Sequence, residues 1–136
     1  PSFNLAQLYV SQNINQEALK ILGEKPFLTA TDSEILHLKG LAYVQMGQAK
    51  QASEYLSKIP SNFHKRADFA LTLAQWHAMQ NEPDQALTLL DNRQQGVSKT
   101  ADRLAERVEL QAKGQIAARK IAAEQAERTP AQEAKK

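Results

Sequence analysis

The side chains best suited to metal binding or acid–base catalysis are the three histidines, His37, His64 and His77. Two histidines bind a metal from one helix when they are four residues apart, because that spacing places both rings on one face. The three histidines here are separated by several helical turns or more, and the chain has no cysteine. The sequence also has no glycine-rich phosphate loop and no recognisable pairing of a nucleophile with a base. We therefore expect no metal, no cofactor and no enzymatic activity.

Carboxylates recur along the chain at a fixed interval. The number of residues between Glu34 and Asp68 equals the number between Asp68 and Asp102. One interpretation is an acidic surface for a basic partner. The other is that each carboxylate stands near the start of a helix, where the helix dipole stabilises a negative charge by about 0.3–1 kcal/mol.

Other residue types follow the interval that separates these carboxylates. The matching positions hold small residues (Ala6, Gly40 and Ala74; Ala18, Ala52 and Ala86), rings (Tyr9, Tyr43 and His77), leucines (Leu22, Leu56 and Leu90) and turn formers (Asn13, Gly47 and Asn81). Pro26 and Pro60 are also one interval apart. Agreement at so many positions indicates internal repeats, which build stacked arrays of similar units.

Each repeat is predicted to form two helices joined by a tight turn. In the second repeat, Asp32 or Ser33 caps a helix that runs to about residue 46. Gly47 ends this helix, because glycine tolerates the left-handed backbone found at helix C-termini. A second helix follows over about 49–59 and stops at Pro60.

The small residues and rings resemble those of the tetratricopeptide repeat, a helix–turn–helix unit of about 34 residues. That family has small residues at the eighth and twentieth positions of the unit and an aromatic at the eleventh. The likeness covers residues 3–92. It implies an all-α fold, a right-handed superhelical stack of three helix–turn–helix repeats plus a C-terminal capping helix. Gly40 and Ala52 would then mark the closest approach of two paired helices. Leu36 and Lys39 depart from the family's usual Trp and Leu, and the first helix is short or truncated.

The fourth interval breaks the pattern, because Lys120 stands where a small residue is expected. Leu104, Val108 and Ala112 still form one apolar helical face, which predicts a capping helix. The expected organisation is repeat 1 over 1–26, repeat 2 over 31–60, repeat 3 over 64–96, a capping and extended helix over 98–128, and a flexible tail over 129–136. A start at Pro1 rather than Met indicates a fragment or a processed product.

The resemblance also implies a concave groove lined by the first helix of each repeat. The matching groove positions are Phe3, Gln7, Val10, Glu34, His37, Leu41, Val44, Asp68, Leu71, Gln75 and Ala78. Family members that clamp a carboxylate use Lys, Arg and Asn there, whereas these positions hold no Lys or Arg. We therefore expect a partner helix or an extended peptide with apolar anchors and some basic residues. The alternative is that Leu41 and Val44 are covered by neighbouring helices or by the chain's own tail.

The predicted function is a non-enzymatic protein-interaction scaffold or adaptor in the assembly of a larger complex. The alternative is self-association, as a homo-oligomer or as part of a longer repeat array. Nucleic-acid binding is not favoured, because residues 1–97 carry 8 Lys+Arg against 9 Asp+Glu, and glutamates interleave with the cations of the tail. No apolar run approaches the length of roughly 18 residues that a membrane-spanning helix needs, so we expect no membrane insertion. We expect a soluble domain whose compartment stays open between a bacterial cytoplasm and periplasm.

Overall fold

The computed structural model describes residues 2–23, 32–93 and 99–134, and within these ranges it contains helices and no strands. The described α-helices are α1 (Ser2–Ser11), α2 (Asn15–Leu22), α3 (Asp32–Gln45), α4 (Ala49–Leu56), α5 (Ala67–Met79), α6 (Pro83–Asn92) and α7 (Lys99–Ala134). A short 3₁₀ turn, Ser61–Phe63, precedes α5. The expected all-α class is therefore confirmed. The predicted boundaries at residues 26, 31 and 96–98 lie outside the described residues.

Three turns of the same geometry join α1 to α2, α3 to α4 and α5 to α6. Their central residues, Asn13, Gly47 and Asn81, have φ angles of 62°, 74° and 58°. In the middle turn, the N–H of Gly47 donates to the carbonyl of Val44 at 3.0 Å, and the N–H of Gln48 donates to that of Tyr43 at 2.9 Å. The same two bonds recur at the equivalent positions of the turns centred on Asn13 and Asn81. This is the Schellman arrangement, which satisfies the last carbonyls of a helix. The predicted turn positions are confirmed.

The α3–α4 pair shows why Gly40 has no side chain. A Cβ atom on Gly40 would lie 2.3 Å from Cδ2 of Leu56, which is too close for any real contact. Ala52, the residue we expected at this approach, is fully buried, but the atoms nearest to Gly40 belong to Leu56. Since Gly40 lies seven residues before Gly47 and Leu56 lies nine after it, the two helices run antiparallel.

Neighbouring pairs pack in a regular order. Each odd-numbered helix contacts the next odd-numbered helix, and α3, α5 and α7 also contact the helix that precedes them. In the part of the chain that the structure describes, the core accordingly consists of three apolar clusters, contributed by α1–α2–α3, α3–α4–α5 and α5–α6–α7. The candidate site lies among the odd-numbered helices.

Helix α7 is longer than expected. Its first half packs on α5 and α6 through Ala105, Val108 and Ala112, whereas side chains 117–127 are exposed. We expected the helix to end at residue 128, but it passes through Pro130 to Ala134. Proline's fixed φ is compatible with a helix, and the surrounding Ala, Glu and Gln residues favour one, so the loss of one N–H does not end it. None of the described helices combines the length and the hydropathy needed to cross a bilayer.

Candidate functional site

The predicted groove residues come together in a cleft of about 330 Å³ between α1, α3 and the start of α5. Seven of the eleven predicted positions line it: Phe3, Gln7, Val10, Glu34, His37, Leu41 and Asp68. On α1 and α3 these residues are spaced three or four apart, which places them on one helical face. The helical period therefore explains how side chains from separate turns reach the same cleft.

The floor of the cleft is apolar and its rim is polar. Phe3 and Val10 are buried, and Leu41 is half-buried. Gln7 and Gln45 are exposed, so their amide groups can donate and accept hydrogen bonds at the entrance. Such a surface can hold an apolar side chain below and bind backbone groups above.

His37 fixes one wall of the cleft. Its Nε2 lies 2.7 Å from Oγ1 of Thr72, and its ring stacks on Phe69 with centroids 4.3 Å apart. The Thr72 hydroxyl donates to the carbonyl of Asp68 at 3.1 Å, so His37 Nε2 is the donor in the first bond. Burial lowers the pKa of His37 to about 4; the charge of Asp68 raises this pKa and that of Arg66 lowers it, both by smaller amounts. The imidazole is therefore neutral near pH 7 and holds α3 against α5.

Arg66 and Asp68 form the charged part of the rim. The Arg66 Nε atom donates to Asp68 Oδ1 at 3.2 Å and Nη2 donates to Oδ2 at 3.0 Å. The guanidinium also lies 4.5 Å from the centroid of the Phe69 ring. With Glu34, the charged lining residues carry two negative charges and one positive charge, so the cleft has a formal net charge of −1.

Among the described lining residues, sequence reasoning missed five: Ser11, Leu38, Gln45, Arg66 and Phe69. Gln45 lies four residues after Leu41 on α3. Extending the same helical spacing by one turn would therefore have included it. Arg66 lies before the first residue of α5, where helical spacing says nothing about side-chain direction. Its signal was chemical instead: a cation two residues before a carboxylate.

Four predicted groove residues do not line the cleft. Leu71 and Ala78 are buried in the cluster that contains Ala105 and Val108 of α7, because α7 packs where the groove would continue. Val44 is buried in the α3–α4–α5 cluster, so for this residue the alternative of burial by neighbouring helices is correct.

Gln75, the fourth, lines a separate pocket of about 200 Å³ together with Val44 and residues of α7. Its Oε1 atom is buried there and has no hydrogen-bond partner among the described residues. The expected continuous groove over three repeats is therefore divided, and only its N-terminal part forms the cleft.

The three carboxylates that recur at the repeat interval do not all lie in the cleft. Glu34 and Asp68 line the cleft, but Asp102 is an exposed residue of α7 outside it. All three lie in the first turn of their helices, and Asp68 Oδ1 accepts the backbone N–H of Phe69 at 3.0 Å. The stabilisation of helix N-termini thus accounts for all three carboxylates. An acidic surface for a partner would account for Glu34 and Asp68 alone.

The described residues contain no group of three side chains that could hold a metal ion. His64 bonds to the carbonyl of Ile59 and His77 to the Glu82 carboxylate, each at 3.2 Å, so neither joins His37. No family model, curated protein or solved structure matches the chain.

Proposed function

We propose that this chain is a non-enzymatic protein-interaction module that binds a segment of a partner protein in the α1–α3–α5 cleft. The observation that carries the proposal is the cleft itself, which joins a buried apolar floor to a polar, net negative rim. In this proposal the helices form a right-handed superhelical stack of tetratricopeptide-type repeats, with the cleft on the concave side. The three Schellman turns, which recur at the repeat interval, support the repeat assignment.

The chemistry of the cleft favours a particular kind of segment. Phe3, Val10 and Leu41 offer a site for one or two apolar side chains. Gln7 and Gln45 can bond to the backbone of an extended peptide or to the polar face of a helix. The net charge of −1 favours a basic residue beside the apolar anchor. The biological role that follows is that of an adaptor or scaffold in the assembly of a larger complex.

A defined peptide selection tests this proposal. The immobilised chain is used to select from a random peptide display library, and the affinities of enriched peptides are measured by fluorescence anisotropy. We expect peptides with an apolar anchor next to Lys or Arg, and a loss of binding of at least about tenfold in Leu41→Glu. Leu110→Glu is the matched control, since Leu110 is an exposed leucine of α7 outside the cleft.

Circular dichroism must show that both variants keep their helix content. A Gln45→Ala variant gives a second measurement, because Gln45 is exposed and its truncation does not disturb the core. If the library yields no binder, or if the selected peptides bind Leu41→Glu, Gln45→Ala and the wild type equally, the cleft is not the binding site.

Self-association is a second candidate, and the first helix supports it. Leu5, Leu8 and Ile14 are 42%, 51% and 40% exposed, and α1 carries no charged residue. A two-fold contact brings a surface against its own copy, so an uncharged apolar face is well suited to one. Sedimentation velocity over a range of concentrations separates the candidates. A monomer at all concentrations, unchanged in Leu8→Lys, rules out self-association.

A further inference from the structure

A second cavity, of about 410 Å³, lies between α4, α5 and α6, and none of its described lining residues also lines the cleft. We propose that this cavity binds a small organic cation, an ammonium group carried on an aryl or alkyl body. Its volume falls within the range of about 300–1,000 Å³ found for small-molecule sites. Like those sites, it has mainly apolar walls and a few polar groups at its mouth.

The apolar walls of the cavity belong to the packed core. Leu56, Ile59 and Leu73 line the cavity and are each at least nine-tenths buried. The Trp76 indole forms another wall, and its Nε1 donates to the carbonyl of Ala49 at 3.1 Å and to Oγ of Ser53 at 3.2 Å. These bonds fix the ring between α4 and α5. The cavity is therefore largely formed before any ligand arrives, which reduces the entropic cost of binding.

Two histidines of the lining each bond to the fold through one ring nitrogen. His77 Nδ1 lies 3.2 Å from the Glu82 carboxylate, which can only accept, so Nδ1 carries the proton. By the same reasoning His64 Nε2 donates to the carbonyl of Ile59 at 3.2 Å. In each neutral ring the other nitrogen is then an acceptor.

The formal charge of the mouth points the same way. Among the described lining residues, the Asp84 carboxylate is the one formal charge when both imidazoles are neutral. The Asp84 carboxylate selects an ammonium group over a carboxylate or a neutral group. The Trp76 indole also lines the cavity, and the face of an indole attracts a cation.

Arg119 of α7 acts against the ligand. Its Nη1 lies 3.9 Å from Oδ2 of Asp84, and both side chains are more than half exposed, so the pair is weak and easily displaced. Removing this cation should strengthen ammonium binding. The proposal therefore predicts a gain of affinity in Arg119→Gln as well as a loss in Asp84→Asn.

Three probes with one hydrophobic body test the proposal: 4-phenylbutylamine, 4-phenylbutan-1-ol and 4-phenylbutanoate. Trp76 is the chain's single tryptophan, so its fluorescence reports on the cavity directly. We expect the amine to bind about tenfold more tightly than the carboxylate, because only the amine is attracted to Asp84. Asp84→Asn should abolish this difference and leave the affinity for the alcohol unchanged.

Control variants separate this cavity from other sites. Asp91→Asn changes an aspartate of the same helix that does not line the cavity, and should leave all three affinities unchanged. Thr88→Phe narrows the mouth from an exposed position and should weaken all three probes. Leu41→Glu, in the cleft, should weaken none of them, which distinguishes failure of this proposal from failure of the peptide site.

Two results overturn the proposal. One is the absence of any change in Trp76 fluorescence and in amide chemical shifts around the cavity with all three probes. The other is an amine affinity that is the same in the wild type, Asp84→Asn and Arg119→Gln. A preference that disappears in Asp84→Asn and increases in Arg119→Gln supports it.

Discussion

His37 and Thr72 lie on different helices, yet Nε2 of the first lies 2.7 Å from Oγ1 of the second inside the fold. The bond joins α3 to α5 and is continued by the bond from Thr72 to the carbonyl of Asp68. Both side chains are buried, so the loss of either partner leaves a polar group without a bond in an apolar setting. The geometry of the cleft thus depends on a buried polar pair.

The burial of His37 makes the stability of the fold depend on pH. Burial lowers the pKa of His37 from 6.5 to about 4. The charge of Asp68 opposes this shift by a smaller amount, and the charge of Arg66 adds to it. Below pH 6.5 the unfolded chain takes up a proton that the folded chain does not. The neutral His37 therefore adds its full contribution to the free energy of unfolding above pH 6.5. This contribution, about 3 kcal/mol in total, is lost as the pH falls towards 4. Urea unfolding at pH 7.5 and pH 4.5 measures this loss.

The control is His37→Gln, whose amide can still donate to Thr72 but does not ionise. We expect His37→Gln to have a lower free energy of unfolding than the wild type at pH 7.5. At pH 4.5 the difference between the two proteins should be smaller, because only the wild type has lost the contribution of a neutral His37. A deficit of the same size at both pH values would show that His37 does not carry the pH dependence.

The close contact of Gly40 with Leu56 predicts that a single methyl group destabilises the α3–α4 pair. In Gly40→Ala the new Cβ would lie 2.3 Å from Cδ2 and 2.5 Å from Cγ of Leu56, so this buried side chain has to shift. Overpacking of this kind costs about 1–3 kcal/mol, more than the gain in helix propensity of about 1 kcal/mol. We expect a net loss in the free energy of unfolding, measured by urea denaturation.

Gly114 provides the matched control, because it also lies within a helix and nothing is within 4 Å of its added Cβ. Gly114→Ala should therefore be neutral or stabilising by up to about 1 kcal/mol. If Gly40→Ala were as stable as Gly114→Ala, the close contact with Leu56 would not be the reason for the glycine.

The parts of this fold that local chemistry determines could be predicted from the sequence. Asn13, Gly47 and Asn81 were assigned to turns because few other residues tolerate a positive φ, and all three have one. The face formed by Phe3, Gln7 and Val10 followed from the helical period. Each of these signals lies within a few residues of the feature that it predicts.

The parts that depend on packing between distant segments could not be predicted. Leu71 and Ala78 have the spacing of groove residues, but α7 buries them. Because α7 breaks the repeat interval, its position on α5 cannot be inferred by counting. The bond between His37 and Thr72 is equally non-local, since Thr72 lies one residue past the repeat equivalent of His37.

At Gly47 a substitution should change the free energy of unfolding through the backbone conformation alone, without new side-chain contacts. Its φ is +74° and nothing lies within 4 Å of an added Cβ, so Gly47→Ala changes only the conformational preference of the residue. We expect a loss of about 1–2 kcal/mol on urea unfolding and a smaller loss for Gly47→Asn. Asn81→Gly, at the equivalent turn, should cost nothing. Equal stability of Gly47→Ala and the wild type would contradict the assignment.

We expect α7 to stabilise the fold only over its packed first half. Gln115 Nε2 donates to the carbonyl of Ala78 at 2.7 Å, and Arg119 Nη2 donates to that of Asn81 at 3.0 Å, but side chains 118–127 are exposed. An unsupported helix of this length is marginal in water. Deleting residues 121–136 should therefore change the free energy of unfolding by less than about 0.5 kcal/mol. Val108→Ala, in the buried half, should cost roughly 2 kcal/mol.

Hydrogen exchange followed by NMR locates the same boundary without a mutation. Amides of 105–115 should be protected to nearly the global free energy of unfolding, because they belong to a helix packed on α5 and α6. Amides of 121–127 should exchange much faster, since opening this segment exposes little apolar surface. Strong protection beyond residue 121, or a deletion that costs as much as Val108→Ala, would show that the extended part of α7 stabilises the fold.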